Sequence, residues 1–423
     1  MTNSVILAGA SVRSLAESAV AAGLTPCCVD MFGDADLQLT LRNRGCATAR
    51  RIEQFSSIPG VIEDLSSDIP LIWTGGLENH PQVLRCLADQ RPVYGVTVDH
   101  LQRFRSPPGL KSLVQGSGCD VPDIVVHSAD RHRRTEEGDW LVKPKYGSGG
   151  VNIRRFDPGC QIGRNEYRQR CVTGLSVSAL YHCQDGITHM LGTCIQITGE
   201  PELGGTGFQF CGTVGPVQLP VQTRAILRRV GQRISEAGIG GIFGADFVVN
   251  AADVWLIEVN PRITASHELY DFGRDSLSVL QRHLAAYSGD QIRCTTRSQD
   301  IIRNQAVARL IVYLRRDRVV TDTDVNRLLR FRRFFDHQRS RQSWLADIPS
   351  IGRLSAGTPF CSVYHVLQKY GSKWKTDTGH SGDIKLNEIL SEYTGVRGVN
   401  TSATAIRHVC LFEQSLLSDN TAS

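Results

Sequence analysis

The fold of this chain turns on two runs, Gly244-Ala-Asp246-Phe-Val-Val-Asn250 and Trp255-Leu-Ile-Glu258-Val-Asn260-Pro-Arg262. Each is apolar apart from its few polar residues and reads as a strand, with residues 250–253 as the turn between them. Glu258 and Asn260 are two apart and share one face of their strand. Folding the second strand back on the first brings Asp246 beside them. Two acids and an amide on an otherwise apolar strand pair are costly without a cation. Hard oxygen donors in that number suit magnesium, which keeps part of its shell for phosphates. A structural use, with Arg262 bridging the acids, is the competing reading.

Upstream, Trp140-Leu-Val-Lys143-Pro-Lys145-Tyr-Gly147-Ser148-Gly149-Gly150-Val151 places a lysine near the end of a strand and then a glycine-rich hairpin. Glycines let backbone N–H groups approach phosphates closely, and the lysine can reach the same phosphates as a point charge. The spacing is not that of a P-loop. Between and around these motifs, strands are expected at 151–156, 169–181, 188–197, 244–250 and 254–260, with a helix at 224–237.

The first hundred residues alternate strands and helices: 4–8 as strand, 12–22 as helix ended by Gly23, 25–30 as strand. The turn Gly9-Ala-Ser-Val-Arg13 lacks the GxGxxG pattern of dinucleotide folds. A later strand, 70–73, runs into Thr74-Gly-Gly-Leu-Glu78-Asn79-His80, polar residues at the carboxyl edge of a parallel sheet, where sites form. Ser106-Pro-Pro-Gly109 marks a boundary. From Arg303 to Arg341 there are 11 arginines against 4 aspartates, expected as a solvated helix face. The segment 348–363 reads as strands joined by turns, and the Ser/Thr-rich tail after Gly395 as partly disordered.

A length of 423 residues implies two to three domains. The balance of 47 basic to 42 acidic residues, +5, is too mild for a nucleic-acid protein. No apolar run reaches the roughly 18–20 residues of a membrane span, and Met1-Thr-Asn-Ser lacks a basic signal-peptide start. Thirteen cysteines without a CxxC pair read as reduced thiols of a cytoplasmic protein.

Lys143 with its glycine hairpin, Asp246, and Glu258-x-Asn260-Pro-Arg262 together resemble the ATP-grasp superfamily, over roughly residues 95–290. Gly9 to Arg13, Asp30-Met-Phe-Gly-Asp-Ala-Asp36 and Gly75 to His80 look like its predicted ATP-dependent carboligase branch, similar to proteins linked to tetrahydromethanopterin one-carbon metabolism. The resemblance implies a mixed α/β and α+β chain. A Rossmann-like pre-ATP-grasp domain (1–98) would precede a two-lobed ATP-grasp domain (99–290, hinge near 169–172) and a C-terminal extension (291–423).

It also implies roles. Lys143 would bind the α-phosphate and adenine edge, Gly147, Ser148, Gly149 and Gly150 would cover the phosphates, and Lys111 would be an earlier nucleotide lysine. Gln169, with the Arg170 and Val172 backbones, would meet adenine. Ser176 stands where members usually carry a ribose-binding acid. Asp246, Glu258 and Asn260 would hold Mg2+, with Mn2+ able to replace it. Arg262 would steady the transferred phosphate, His267 is a candidate general base, and Glu78, Asn79 and His80 are candidate acceptor contacts. The implied activity is an ADP-forming carboxylate–amine ligase acting on small molecules through an acyl phosphate, as a monomer or homo-oligomer. Its rivals are an ATP-grasp phosphotransferase and a silent nucleotide-binding regulator.

Overall fold

The computed structural model describes residues 3–126, 139–271, 277–290, 305–332, 343–370, 373–376, 387–388, 390–396 and 400–408. The N-terminal strands are β1 (Ser4–Gly9), β2 (Thr25–Asp30), β3 (Arg50–Arg51), β4 (Leu71–Trp73) and β5 (Val93–Tyr94). They form one parallel sheet in the order β3-β2-β1-β4-β5. Val5, Ile6, Leu7 and Ala8 are all buried, as expected of a parallel strand covered on both faces. The order reverses at β1, so the loops after β1, β2 and β4 meet at the carboxyl edge of the sheet.

A small antiparallel sheet follows: β6 (Ile124–Val125), β7 (Trp140–Pro144), β8 (Arg154–Arg155) and β9 (Glu166–Arg170), in the order β6-β9-β7-β8. The strand expected at 151–156 is reduced to β8. Gly149, Gly150 and Asn152 all take positive φ, which breaks extended backbone there. The long strand expected at 169–181 is instead two, β9 and β10 (Leu175–Gln184), which belong to different sheets. The break at 171–174 overlaps the hinge expected at 169–172 in its second half only, since Gln169 and Arg170 close β9.

The large sheet begins with β10, β11 (Ile187–Thr198), β12 (Phe210–Val217), β13 (Gly241–Val249) and β14 (Val254–Asn260). It continues into β15 (Gln305–Tyr313), and, beyond the short strands β16 (Arg318–Val320) and β18 (Gly352–Leu354), takes in β17 (Ser343–Ala346), β19 (Pro359–Tyr370) and β20 (Lys373–Thr376). Its order is β14-β13-β10-β11-β12-β15-β19-β17, with β20 on β19. The helix Val221–Glu236 lays Leu227, Val230 and Ile234 on this sheet, where the hydroxyl of Tyr181 donates to Leu227 O at 2.9 Å. Among the described residues no helix is long and apolar enough to cross a membrane.

The arginine-rich stretch corrects the expectation of a solvated helix. Its described part forms β15, β16 and a helix at Asp322–Leu329, with 303–304 and 333–341 outside the described residues. Arg309 and Arg332 are buried. Arg309 binds Asp347 at 2.8 Å, and Arg332 binds Glu17 at 3.0 Å. Acids of the N-terminal domain and the C-terminal strands draw these cations inward, because a buried guanidinium requires a partner. Part of the tail is also ordered: residues 401–408 form a helix that buries Thr401, Thr404 and Ala405.

Candidate active site

β13 and β14 pair antiparallel with Asp246 opposite Glu258 and Gly244 opposite Asn260. Directly opposed residues project from the same face, so the register brings the three polar groups together. Asn260 Nδ2 donates to Asp246 Oδ2 at 3.0 Å. Burial, and next the facing Glu258 carboxylate, push the Asp246 carboxyl up to about 7. That repulsion is what a divalent cation relieves, and two acids with an amide fit magnesium by donor type.

Beyond β14 the chain turns at Pro261 and delivers Arg262. Its guanidinium binds Glu78 at 2.9 Å through Nε and 2.8 Å through Nη2, and Nη2 also donates to Asn260 Oδ1 at 3.2 Å. Burial raises the Glu78 carboxyl, but the Arg262 guanidinium outweighs it and holds the group below the usual carboxylate range. Gly75 lies against the guanidinium, where an added Cβ would sit in van der Waals contact at 3.4 Å. Gly76 at φ +106 makes the turn, and its N–H donates to Glu78 at 2.6 Å. Of the three expected acceptor contacts, Glu78 lines a cleft together with Arg262, and Glu78 and Asn79 each hold an arginine. Asn79 accepts from Arg105 at 2.6 Å. His80 packs against Phe55 with ring centres 4.9 Å apart.

Lys143 is buried on β7 and donates to Gln169 Oε1 at 3.1 Å. Gln169 Nε2 is buried without a partner among the described residues, an orphan donor beside the lysine. The glycine loop docks on the turn before β12. Phe210 N–H donates to Gly149 O at 2.8 Å, and a Cβ on Gly150 would fall 1.9 Å from Phe208 O. Lys143, Gly147, Ser148, Gly149, Gly150, Glu258, Asn260, Arg262 and Glu78 all line one cleft of about 750 Å³. Its apolar walls include Leu110, Ile124, Tyr167 and Ile257.

Some expected residues lie elsewhere. Lys111 is exposed on the helix Pro107–Val114 and does not line the cleft, although its neighbour Leu110 does. One step along a helix turns a side chain by about 100°, which separates the two. His267 is buried outside the cleft lining, between Ser14 Oγ at 2.9 Å and Asp271 at 3.4 Å, as a structural histidine would be. Arg170 is exposed, 3.8 Å from Asp123. Ser176 is half-buried on β10 opposite Val248, and Val172 is half-buried in the inter-sheet connection.

Fold and site define a two-lobed nucleotide-binding architecture with a Rossmann-like domain in front. Residues 111–266 match the ATP-grasp domain family, and the chain carries an ATP-grasp domain. Three solved structures illustrate the shared fold. The biotin carboxylase domain of Hydrogenobacter thermophilus 2-oxoglutarate carboxylase, complexed with MgADP, ADP and bicarbonate, is 12% identical with a TM-score of 0.60, covering 86% of each chain. Carboxyaminoimidazole ribonucleotide synthase from Aspergillus clavatus, complexed with ATP, is 13% identical at 0.63, covering 94% of this chain and 100% of that one. Campylobacter jejuni biotin carboxylase is 14% identical at 0.63, covering 92% and 91%. At such identities the likeness is one of fold. No curated protein matches the sequence.

Proposed function

We propose that this protein is a cytoplasmic, ATP- and magnesium-dependent ligase that activates a carboxylate as an acyl phosphate for attack by an amine. The observation that carries the reading is the convergence of Lys143, the Gly147–Gly150 loop, Glu258, Asn260 and Arg262 on one cleft. Phosphoryl transfer asks a protein for in-line placement and charge neutralisation, and these residue types supply both. Asp246, Glu258 and Asn260 would hold magnesium, which neutralises phosphate charge when bound. Lys143 and the loop N–H groups would bind the phosphates, and Arg262 the reacting oxyanion.

A carboxylate oxygen attacks the γ-phosphorus and the bond to ADP breaks. The amine nitrogen then attacks the acyl carbon, phosphate leaves, and the surplus proton passes to solvent. The glycine loop is placed to exclude water from the acyl phosphate meanwhile. The likeness of Gly9–Arg13 and Asp30–Asp36 to the carboligase branch favours an acid from one-carbon cofactor synthesis.

Hydroxylamine is small and nucleophilic enough to replace the amine. The enzyme with MgATP and a panel of amino acids, pterins and furan-type acids should give a hydroxamate and ADP in equal amounts. AMP and pyrophosphate would mean adenylation. A stable phosphorylated acceptor would make the protein a phosphotransferase, and no ATP consumption with any acid would leave a nucleotide-binding regulator.

A further inference from the structure

Two consecutive residues, Glu78 and Asn79, each orient an arginine from a different part of the chain. Glu78 holds Arg262, and Asn79 Oδ1 accepts from Arg105 Nη2 at 2.6 Å. Arg105 ends the helix Val98–Arg105 because Ser106 leaves helical geometry and Pro107 starts the next helix. Both arginines line the cleft with Glu78. Arg105 is near enough to add to the effect of Arg262 in depressing the Glu78 carboxyl.

The charges do not cancel. One carboxylate faces two guanidinium groups, and Lys143 adds a further positive charge at the cleft wall. Glu78 is already committed to Arg262 and to the Gly76 N–H. Another arginine of the lining, Arg85, has its own acid, Asp99, at 3.5 Å. Arg105 has one hydrogen bond, to an amide, and no acid within ion-pair distance among the described residues. A half-buried guanidinium held by one nitrogen, with the rest of its fork free, is a ready receptor for a planar or tetrahedral oxyanion.

We propose that Arg105, oriented by Asn79, is an anion-binding residue of the cleft that takes a phosphate or carboxylate oxygen of the substrates, the part expected of Lys111. The proposal rests on the ligase reading of the cleft. The oxyanion has two sources, the nucleotide and the acceptor acid, and Asn79 is a positioning residue for either.

The test compares the full-length wild type with Arg105→Ala, Arg105→Lys, Asn79→Ala and Lys111→Ala. Affinities for MgATP and MgADP are read by calorimetry, and those for inorganic phosphate and acetate by thermal-shift titration. Arg105→Ala should weaken at least one of these anions tenfold or more, Asn79→Ala less, and Lys111→Ala none. Arg105→Lys should recover only part, since an ammonium lacks the fork. Loss of MgATP but not MgADP affinity assigns the γ-phosphate, and loss of both an inner phosphate. Loss of phosphate or acetate affinity alone assigns the acceptor's anion. Arg105→Ala binding all four as the wild type does would overturn the proposal, and unchanged MgATP binding there leaves the ligase reading intact. If the wild type fails to bind MgATP the ligase reading fails. The proposal then survives only if phosphate or acetate binding still depends on Arg105.

Discussion

Arg262 and Glu78 lie 184 residues apart and meet through two short contacts, 2.9 and 2.8 Å, in the lining of the cleft. The first lies in the ATP-grasp domain and the second in the Rossmann-like domain, so one ion pair joins the two and fixes the guanidinium in the cleft lining. Gly76 makes the turn into Glu78 at φ +106, where an added Cβ would also strike the Phe55 ring at 2.3 Å.

This pair is buried, so removing one partner strands the other. Glu78→Ala should cost about 3–5 kcal/mol, the scale for an uncompensated buried charge. The double variant Glu78→Ala with Arg262→Ala should cost less than the sum of the single changes, because the stranded charge is then gone. Equilibrium urea denaturation of the four proteins measures both. Additive losses would mean that the two residues do not interact.

Lys143 is anchored by Gln169 in the same cleft as the glycine loop, and the proposed function makes it a preorganised charge for the phosphates. Lys143→Ala should lower hydroxamate formation by about 10²–10⁴ with the fold kept. Gln169→Ala should lower it less, since the lysine remains but loses its hydrogen bond. Turnover of Lys143→Ala within threefold of wild type would remove the assignment.

The Asp246 carboxyl, raised to about 7 by burial and by Glu258, must lose its proton to bind a metal. Affinity for the magnesium nucleotide should therefore rise as pH climbs through 6 to 8, by at most about tenfold per unit below 7. Proton release should accompany binding, visible as calorimetric enthalpies that differ between buffers. Asp246→Asn should flatten the profile.

A second buried network ties the N-terminal domain to the C-terminal strands. Arg13 binds Glu268 and Asp347 at 2.9 Å and Glu17 at 3.0 Å, while Asp36 accepts from the Asp347 and Ile348 N–H groups at 3.0 Å. Burial raises Asp30 to about 6 and Asp36 to about 7, against hydrogen bonds and Arg13 that partly offset it. The folded state then holds protons that the unfolded chain releases above about pH 4. Stability should fall as pH rises from about 4 through 7, by up to about 1.4 kcal/mol per unit and group. Below that window the sign reverses. Burial would raise Asp347 and Glu268, but Arg13 and Arg309 outweigh it and hold both low, and that support is lost on acidification.

Asp34 sits in the same network with Oδ2 buried and unpartnered among the described residues, and with Asp347, Asp36 and Asp30 near it. Asp34→Asn should raise the melting temperature at pH 8 more than at pH 5.5. A lower melting temperature at pH 8 would mean that the carboxylate is needed.

Much of the site was legible because its parts are local in sequence. Glu258 and Asn260 share a strand face by period alone, Asp246 precedes a tight turn back, and Lys143 adjoins its glycines. Each follows from backbone geometry over a dozen residues, without knowledge of what packs on it. The alternation of strand and helix before residue 98 likewise settled a parallel sheet and its carboxyl edge. What tertiary structure decided were the long-range partners. Only packing put Glu78 on Arg262 and Asn79 on Arg105, left Lys111 exposed, enclosed His267 between Ser14 and Asp271, and drew Arg309 and Arg332 out of a basic run into a buried ion network. Local sequence records a charge and its periodicity. The free energy of burying that charge depends on which counter-charge the fold brings within a few ångströms, and no local pattern encodes that distance.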